Sequence, residues 1–375
     1  MNNMRIIKTL ICIFMVLGAL ILPAYCEVDV VGEQAEALET DKLEEYVPDD
    51  ASVYMDGMSI MDSLDLGTSV SQIINNASGD VGGFLKNGAK SAVMLLAVVL
   101  LCGVIKGMYD GTDSVVANYV PLAGALAVVA ISAVDFSSLI GLGRDAIDSM
   151  DTFSKALLPT LAAAAAASGA AVSATAKQVA TAFFADILIT VIKNLLLPLV
   201  YAYIAVAAAD AAVGNGVLKR IGALIKSFTI WALSLILAAF TAYLTLSGVI
   251  SGTTDAVALK ATKTVISSAV PVVGGIISDA SESILIGAGV LRNAIGVFGA
   301  IAVIAICIAP FLRLSIHYIM YKIAAAVSST IGDEKIIGLI DNLASAFGIV
   351  LGMTASCALL LFISLISTIS AVTVT

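Results

Sequence analysis

Ionisable side chains within long apolar runs are the residues of this 375-residue chain best placed to do chemistry. Asp186, Lys193 and Asp210 lie in such runs, and the first two are seven residues apart, which places them on one helix face. Charged groups at membrane depth are costly, so they usually face a bundle interior or a wet cavity. The three residues are candidate intramembrane polar groups, either lining a transport path or pairing structurally.

Other chemistry is sparse in the sequence. His317 is the only histidine, whereas an H-E-x-x-H zinc site needs two, and we interpret it as an interfacial polar residue. Asp186 and Asp210 lack the surrounding sequence of a catalytic aspartyl pair. The cysteines within apolar runs show no metal-ligand spacing. We therefore predict no catalytic residue, no metal site and no cofactor, and no enzyme.

Composition identifies the solvent of most of the chain as lipid. Hydrophobic residues make up 60% of it and charged residues 13%, whereas soluble domains carry about 25% charged residues. A water-soluble enzyme is therefore excluded. The net charge of −9 is local, because residues 27–80 hold 14 of the 28 acidic residues and one lysine. No basic patch indicates a nucleic-acid partner.

The N terminus resembles a secretory signal. Arg5 and Lys8 precede an apolar stretch at 10–22, and small residues at Ala24 and Cys26 suit cleavage after Cys26. An uncleaved membrane anchor is the alternative. We predict three parts: a signal peptide at 1–26, an acidic exported segment at 27–85 and a polytopic membrane domain at 86–375.

The apolar runs predict an all-α polytopic membrane protein with about eight transmembrane helices, because the runs are apolar on every side rather than alternating. The run at 179–213 could instead be one segment broken near Lys193 and Pro198. A further run at 314–331 could span or lie along the interface. The predicted spans are 91–105, 119–134, 156–176, 179–197, 198–213, 228–250, 294–312 and 343–372.

Loop charges predict the orientation. Basic residues favour the cytoplasmic side of a membrane. If the acidic segment lies outside, the loop with Lys219, Arg220 and Lys226 falls inside, and an acidic loop at 135–155 falls outside.

The segment 253–293 combines two amphipathic stretches of opposite charge around a Pro/Gly break. Such a pair suits a re-entrant hairpin, since irregular backbone at membrane depth is tolerated where it lines a cavity. Two interfacial helices on the outer surface are the alternative. The candidate path-lining or gating residues are Lys260, Lys263, Pro271, Gly274, Gly275, Asp279 and Glu282.

Three blocks of sequence carry a family resemblance. The first combines K-A-T-K-T-V-I from Lys260, P-V-V-G-G-I-I-S-D-A-S-E-S from Pro271 and L-R-N-A-I-G from Leu291; the others are L-L-P-T-L from Leu157 and N-L-L-L-P-L from Asn194. These blocks resemble the stage III sporulation protein AE family. The resemblance runs from about residue 145 to the C terminus, and the acidic segment has no specific match.

The resemblance implies a multi-pass protein of the mother-cell membrane surrounding the forespore, with its acidic head on the non-cytoplasmic side. The implied partners are membrane lipid and other proteins of the stage III sporulation A operon, including a secretion-type ATPase and ring-forming proteins. Assembly as a homo-oligomer stays open.

The resulting hypothesis is a membrane component of a channel or secretion-like complex between mother cell and forespore, required for endospore development. One alternative is an ion-coupled secondary transporter of a small solute, using Asp186, Lys193 and Asp210. The other is a structural scaffold that recruits the partners of the complex.

Overall fold

A computed structural model describes residues 30–56, 58–60, 66–109, 115–168, 172–214, 216–249 and 274–370. All regular elements within these ranges are helices, and the predicted all-α membrane fold is confirmed. The predicted signal peptide lies outside the described ranges, as do Lys260, Lys263 and Pro271.

Three short helices form an N-terminal head, and long helices form the body. The head contains α1 (Val30–Ala37), α2 (Asp41–Glu45) and α3 (Asp49–Met55). The body contains α4 (Leu66–Met108), α5 (Val115–Ala167), α6 (Val172–Val191), a π-helical turn (Ile192–Leu196), α7 (Leu197–Val213), α8 (Gly216–Val249), α9 (Gly274–Ser328) and α10 (Glu334–Ser370). Helix α4 runs through the predicted domain boundary at residue 86.

Six helices in the described ranges are long and apolar enough to cross a membrane, compared with the predicted eight. Two pairs of predicted spans merge: 119–134 and residues 156–167 of the predicted span 156–176 lie on α5, which ends at Ala167, and 179–197 joins 198–213 through the π turn. The predicted loop at 135–155 is wrong, because it is helical. Its charges are compatible with a helix because they pair at helical spacing, as in Asp151 with Lys155.

The segment predicted as a second amphipathic helix is also part of a longer rod. Helix α9 begins at Gly274 and continues for 55 residues, past Arg292 and across Pro310. There is thus no break between this segment and the span that follows it. The preceding half of the predicted hairpin lies outside the described residues.

The rods alternate in direction. Helix α5 runs against α9, since Tyr321 contacts Asp135 at one level and Phe298 contacts Phe153 further along. Helix α8 runs parallel to α10, since Lys226 bonds to Ser345 at one level and Leu233 lies near Gly352 further along. A short connection at residues 329–333 joins α9 to α10, and connections of this length favour antiparallel neighbours.

Aromatic packing fills the centre of the bundle. The ring of Phe347 on α10 is fully buried, stacks on Phe136 of α5 at 4.8 Å and meets the edge of Tyr321 of α9 at 5.1 Å. Helices in lipid associate through close van der Waals packing of this kind. These contacts hold α5, α9 and α10 in register.

The acidic head packs on the body. Tyr54 is buried, its hydroxyl donates to Asp80 Oδ2 of α4 at 2.8 Å, and its carbonyl accepts from the Asn76 amide at 3.1 Å. A cavity of about 30 Å³ separates the start of α3, at Pro48 and Asp50, from α5 and α9. The apolar face of the head therefore joins the core of the bundle.

A glycine pair on α5 tests the helix packing. A Cβ at Gly143 would collide with Val350, whereas one at Gly141 would meet nothing within 4 Å. Gly143→Ala should lower stability by about 1–3 kcal/mol, and Gly141→Ala should raise it by up to ~1 kcal/mol. Thermal unfolding midpoints of the detergent-purified proteins measure both, and equal shifts would contradict this packing.

The head contact is tested at Tyr54, whose pKa is raised to about 12 by burial and by its hydrogen bond to Asp80. Tyr54→Phe should speed proteolysis of residues 30–60, because a hydrogen bond to a carboxylate is lost. Tyr46→Phe is the control, since Tyr46 is 48% exposed. The raised pKa favours the neutral phenol, so the contribution is complete below about pH 10 and is lost as the pH rises toward 12. Equal cleavage rates in both variants would rule out the contact.

Candidate functional site

An alternating chain of six charges links α5 to α6 and the π turn. Arg144 Nε lies 3.7 Å from Asp148 Oδ2. Lys193 Nζ lies 2.5 Å from Asp148 Oδ1 and 3.9 Å from Asp151 Oδ2. Lys155 Nζ lies 2.9 Å from Asp151 Oδ2 and 3.4 Å from Asp186 Oδ1. These contacts form a continuous ion-pair network in the order Arg144, Asp148, Lys193, Asp151, Lys155, Asp186, in which Asp151 contacts both lysines.

Burial makes Asp151 the centre of this network. Its side chain is 10% exposed, whereas Lys193 and Asp148 are about one-third exposed and Lys155 is 56% exposed. The Oδ1 atom of Asp151 is buried and has no hydrogen-bond partner among the described residues. Exposed ion pairs contribute little to the free energy of unfolding. We therefore expect Asp151 and Lys193 to contribute most of the stability that the network provides.

Both rods that carry the network contain a proline beside it, and each proline removes a helix hydrogen bond. Pro159 on α5 cannot donate to the carbonyl of Lys155, four residues earlier. Pro198 likewise cannot donate to Asn194, and the chain adopts a π turn in which the Leu197 N–H bonds to the Ile192 carbonyl. The network therefore lies where backbone carbonyls are released from the helix ladder.

The structure brings together two of the three predicted intramembrane polar residues. Asp186 and Lys193 belong to the network. Asp210 lies 24 residues beyond Asp186 on the same rod, about 36 Å at helical rise, and its carbonyl accepts from the N–H of Gly214. The separation excludes a carboxylate pair.

His317 is buried rather than interfacial. Its Nδ1 bonds to the carbonyl of Arg313 at 2.9 Å, and its ring meets Phe347 edge-on at 6.3 Å. The histidine is therefore a core residue of α9, held by its own helix. Within the described ranges, no group of three or more metal-ligating side chains could hold a metal ion.

The candidate gating residues fall at or before the start of α9. Lys260, Lys263 and Pro271 lie outside the described residues. Gly274, Gly275, Asp279 and Glu282 lie on the first turns of α9. Their assignment to a path remains a prediction.

Four members of the network are not predicted from the sequence. Arg144, Asp148, Asp151 and Lys155 lie within 135–155, for which the sequence predicts a loop. The available signal was the spacing of Arg144, Asp148, Asp151 and Lys155 at intervals of four, three and four, which puts them on one helix face. The many charged residues lower the hydropathy of this stretch, which favours a loop in a sequence-based prediction despite that periodicity.

A model of the stage III sporulation protein AE family matches residues 55–372. The chain belongs to this family. A member from Bacillus subtilis (strain 168), stage III sporulation protein AE, is 24% identical over 288 residues, which cover 76% of this chain and 72% of the relative. No solved structure matches.

Family membership confirms the resemblance found in the sequence and assigns the chain to sporulation. It also gives the network a context, because two of the resembling blocks contain the helix interruptions at Pro159 and Pro198. Leu157, from the first block, packs on Gly299 of α9. The stage III sporulation protein AE family is not a known enzyme family.

The network is tested at its most buried member. Asp151→Asn keeps the shape of the side chain but removes the charge shared by Lys155 and Lys193, so it should lower stability by about 1–3 kcal/mol. Asp210→Asn is the matched control, expected to change stability by less than about 0.5 kcal/mol. Thermal unfolding in detergent compares them, and an Asp151 variant as stable as the control would contradict the role of the network.

Proposed function

We propose that the chain is the membrane-embedded channel or export-gate component of a sporulation complex between mother cell and forespore, required for endospore development. The observation that carries the proposal is the ion-pair network from Arg144 to Asp186, which lies beside Pro159 and the π turn in a mainly apolar bundle. A protein that only anchors partners has no need of such charges, which are costly in an apolar environment.

The local chemistry favours a polar path. Pro159 and the π turn free backbone carbonyls near Lys155 and Lys193, and π turns within helices occur frequently at functional sites. The side chains of Asp148, Lys193 and Asp186 are each about one-third exposed. A polar solute could therefore meet both signs of charge on the surface of α5 and α6. The segment 253–293 would line or gate the same path.

The orientation proposed is an acidic head outside the cytoplasm. Three rods (α4, α5, and α6 with α7) precede α8, so single crossings bring Lys219 and Arg220 to the side opposite the start of α4. This agrees with the preference of basic residues for the cytoplasm. The membrane would be that of the mother cell around the forespore, and a signal peptide at 1–26 would direct export of the head.

The partners proposed are other proteins of the stage III sporulation A operon, including a secretion-type ATPase and ring-forming proteins. The ATPase would meet the cytoplasmic end, near Lys219 and Arg220. The ring-forming proteins would meet the exported head.

A second candidate function is ion-coupled transport of a small solute. The network has three carboxylates against two lysines and one arginine, so its charges balance, and the buried Oδ1 of Asp151 has no hydrogen-bond partner among the described residues. A proton or small cation would bind at that oxygen. Transport driven by an ion gradient would depend on its occupancy.

Spore formation separates these candidates. Neutralising Lys260, Lys263, Asp279 and Glu282 together should reduce heat-resistant spores at least tenfold at unchanged protein level if they line the path. A matched control neutralises Glu39 and Lys42, an exposed ion pair of the head. Normal sporulation of the fourfold variant would overturn the channel assignment to this segment.

Single substitutions distinguish the alternatives in the same assay. Asp186→Asn alone should abolish function in a transporter, because it removes a charge that coupling requires. A scaffold should tolerate both changes and fail when Lys219 and Arg220 are altered. Protein level in the membrane, measured by immunoblot, separates these outcomes from loss of folding.

A further inference from the structure

A second polar cluster joins α7, α8, α9 and α10, separate from the ion-pair network. Lys322 Nζ of α9 lies 2.6 Å from Asp341 Oδ1 of α10. Lys226 Nζ of α8 donates to Ser345 Oγ at 2.9 Å, and that hydroxyl donates to the Asp341 carbonyl at 2.9 Å. Tyr203 of α7 contacts the cluster from the other side: its hydroxyl donates to Oδ1 of the Asn342 side chain at 3.0 Å.

The cluster has more positive than negative charge. Lys226 and Lys322 are both attracted electrostatically to the carboxylate of Asp341, and that carboxylate forms its ion pair with Lys322. The bonded partner of Lys226 within the described residues is a neutral hydroxyl, which uses one of the three donors of the ammonium. Ser345 is 7% exposed, so the Lys226 side chain reaches toward the interior. A half-buried ammonium without its own counter-charge favours binding of an anion.

The surroundings indicate which anion reaches this position. Trp231, the only tryptophan of the chain, is 60% exposed about one turn beyond Lys226 and contacts Phe228, with ring centroids 6.1 Å apart. Exposed aromatic side chains beside a lysine are typical of the headgroup level of a membrane. Lys219 lies seven residues before Lys226 on the same face of α8. This end of α8 therefore has the character of an interface.

We propose that Lys226 and Lys322 form a binding site for a phosphate group, contributed by the headgroup of an acidic phospholipid. Ser345 positions Lys226, and Asp341 positions Lys322, so that both ammonium groups keep donors available to the phosphate oxygens. Basic pockets between transmembrane helices on the cytoplasmic side bind anionic headgroups in this way. A soluble phosphate-bearing solute is the other source of the same chemistry. The site does not depend on whether the bundle conducts.

Lipid binding to the full-length protein in neutral detergent tests the site. Dihexanoyl phosphatidylglycerol should bind, and dihexanoyl phosphatidylcholine should not, as measured by native mass spectrometry. Lys226→Met and Lys322→Met should each weaken phosphatidylglycerol binding about fivefold, and both together about 25-fold. Lys226→Arg keeps the charge and should bind within about twofold of the unaltered protein.

Lys86→Met is the matched control, because Lys86 is exposed on α4, which packs mainly against α5 and α9. Inorganic phosphate distinguishes the two sources. If millimolar phosphate displaces the lipid, and itself binds with the same dependence on Lys226, a soluble phosphate is the ligand. If it does not displace the lipid, the headgroup is the ligand.

The proposal is overturned if neither lysine substitution weakens binding of phosphatidylglycerol or phosphate, or if Lys86→Met weakens it equally. Thermal unfolding midpoints check that each variant is folded. Should Lys226→Met fail to fold, Ser345→Ala serves instead, since loss of the hydroxyl frees Lys226 and should weaken binding about twofold to threefold.

Discussion

The cost of a charge in an apolar environment constrains this structure more than any other interaction. A lone carboxylate or ammonium within such a bundle would cost several kcal/mol. The six charges from Arg144 to Asp186 avoid this cost by alternating in sign along one connected network. Because α5 provides four members and the α6–π–α7 rod provides two, the network fixes the register between these rods. Loss of Asp151 would divide the network into two parts and leave Lys193 and Lys155 with one carboxylate each.

The helix interruptions are part of the same arrangement. A straight α-helix through Lys193 and Pro198 would force the proline ring against the Asn194 carbonyl, and the π turn relieves that clash by adding a residue to one turn. The added residue also rotates the helix about its axis, so the face carrying Asp186 and Lys193 changes at this point. Pro159 lies within α5 one turn after Lys155 and leaves the Lys155 carbonyl without its helix donor, while α5 continues to Ala167. The charged side chains and the carbonyls freed by the two prolines therefore lie close together along both rods.

Sequence reasoning predicted the features that depend on composition and short-range periodicity. Uninterrupted apolar runs indicate helices, and the spacing of seven residues predicts that Asp186 and Lys193 share a helix face; in the structure they pair with different residues of α5. Residues 135–155 were assigned to a loop because hydropathy scores each charge as if it stood alone, whereas Asp151 and Lys155 neutralise each other within the helix. The position of His317 depended on packing against Phe347, which is 30 residues distant, and no local pattern carries that information.

The acidic head and the ion-pair network share one structural element. Ala146 and Ser149 of α5 face the head across the small cavity by Pro48, while Asp148 and Asp151 point from the other side of the same turns toward Lys193. A rigid helix cannot move one of these faces without moving the other. A force applied to the head would therefore act on α5, and through α5 on the separation of its carboxylates from Lys193. The position of the head is mechanically linked to the most costly charges of the bundle, although the two lie on different sides of the helix.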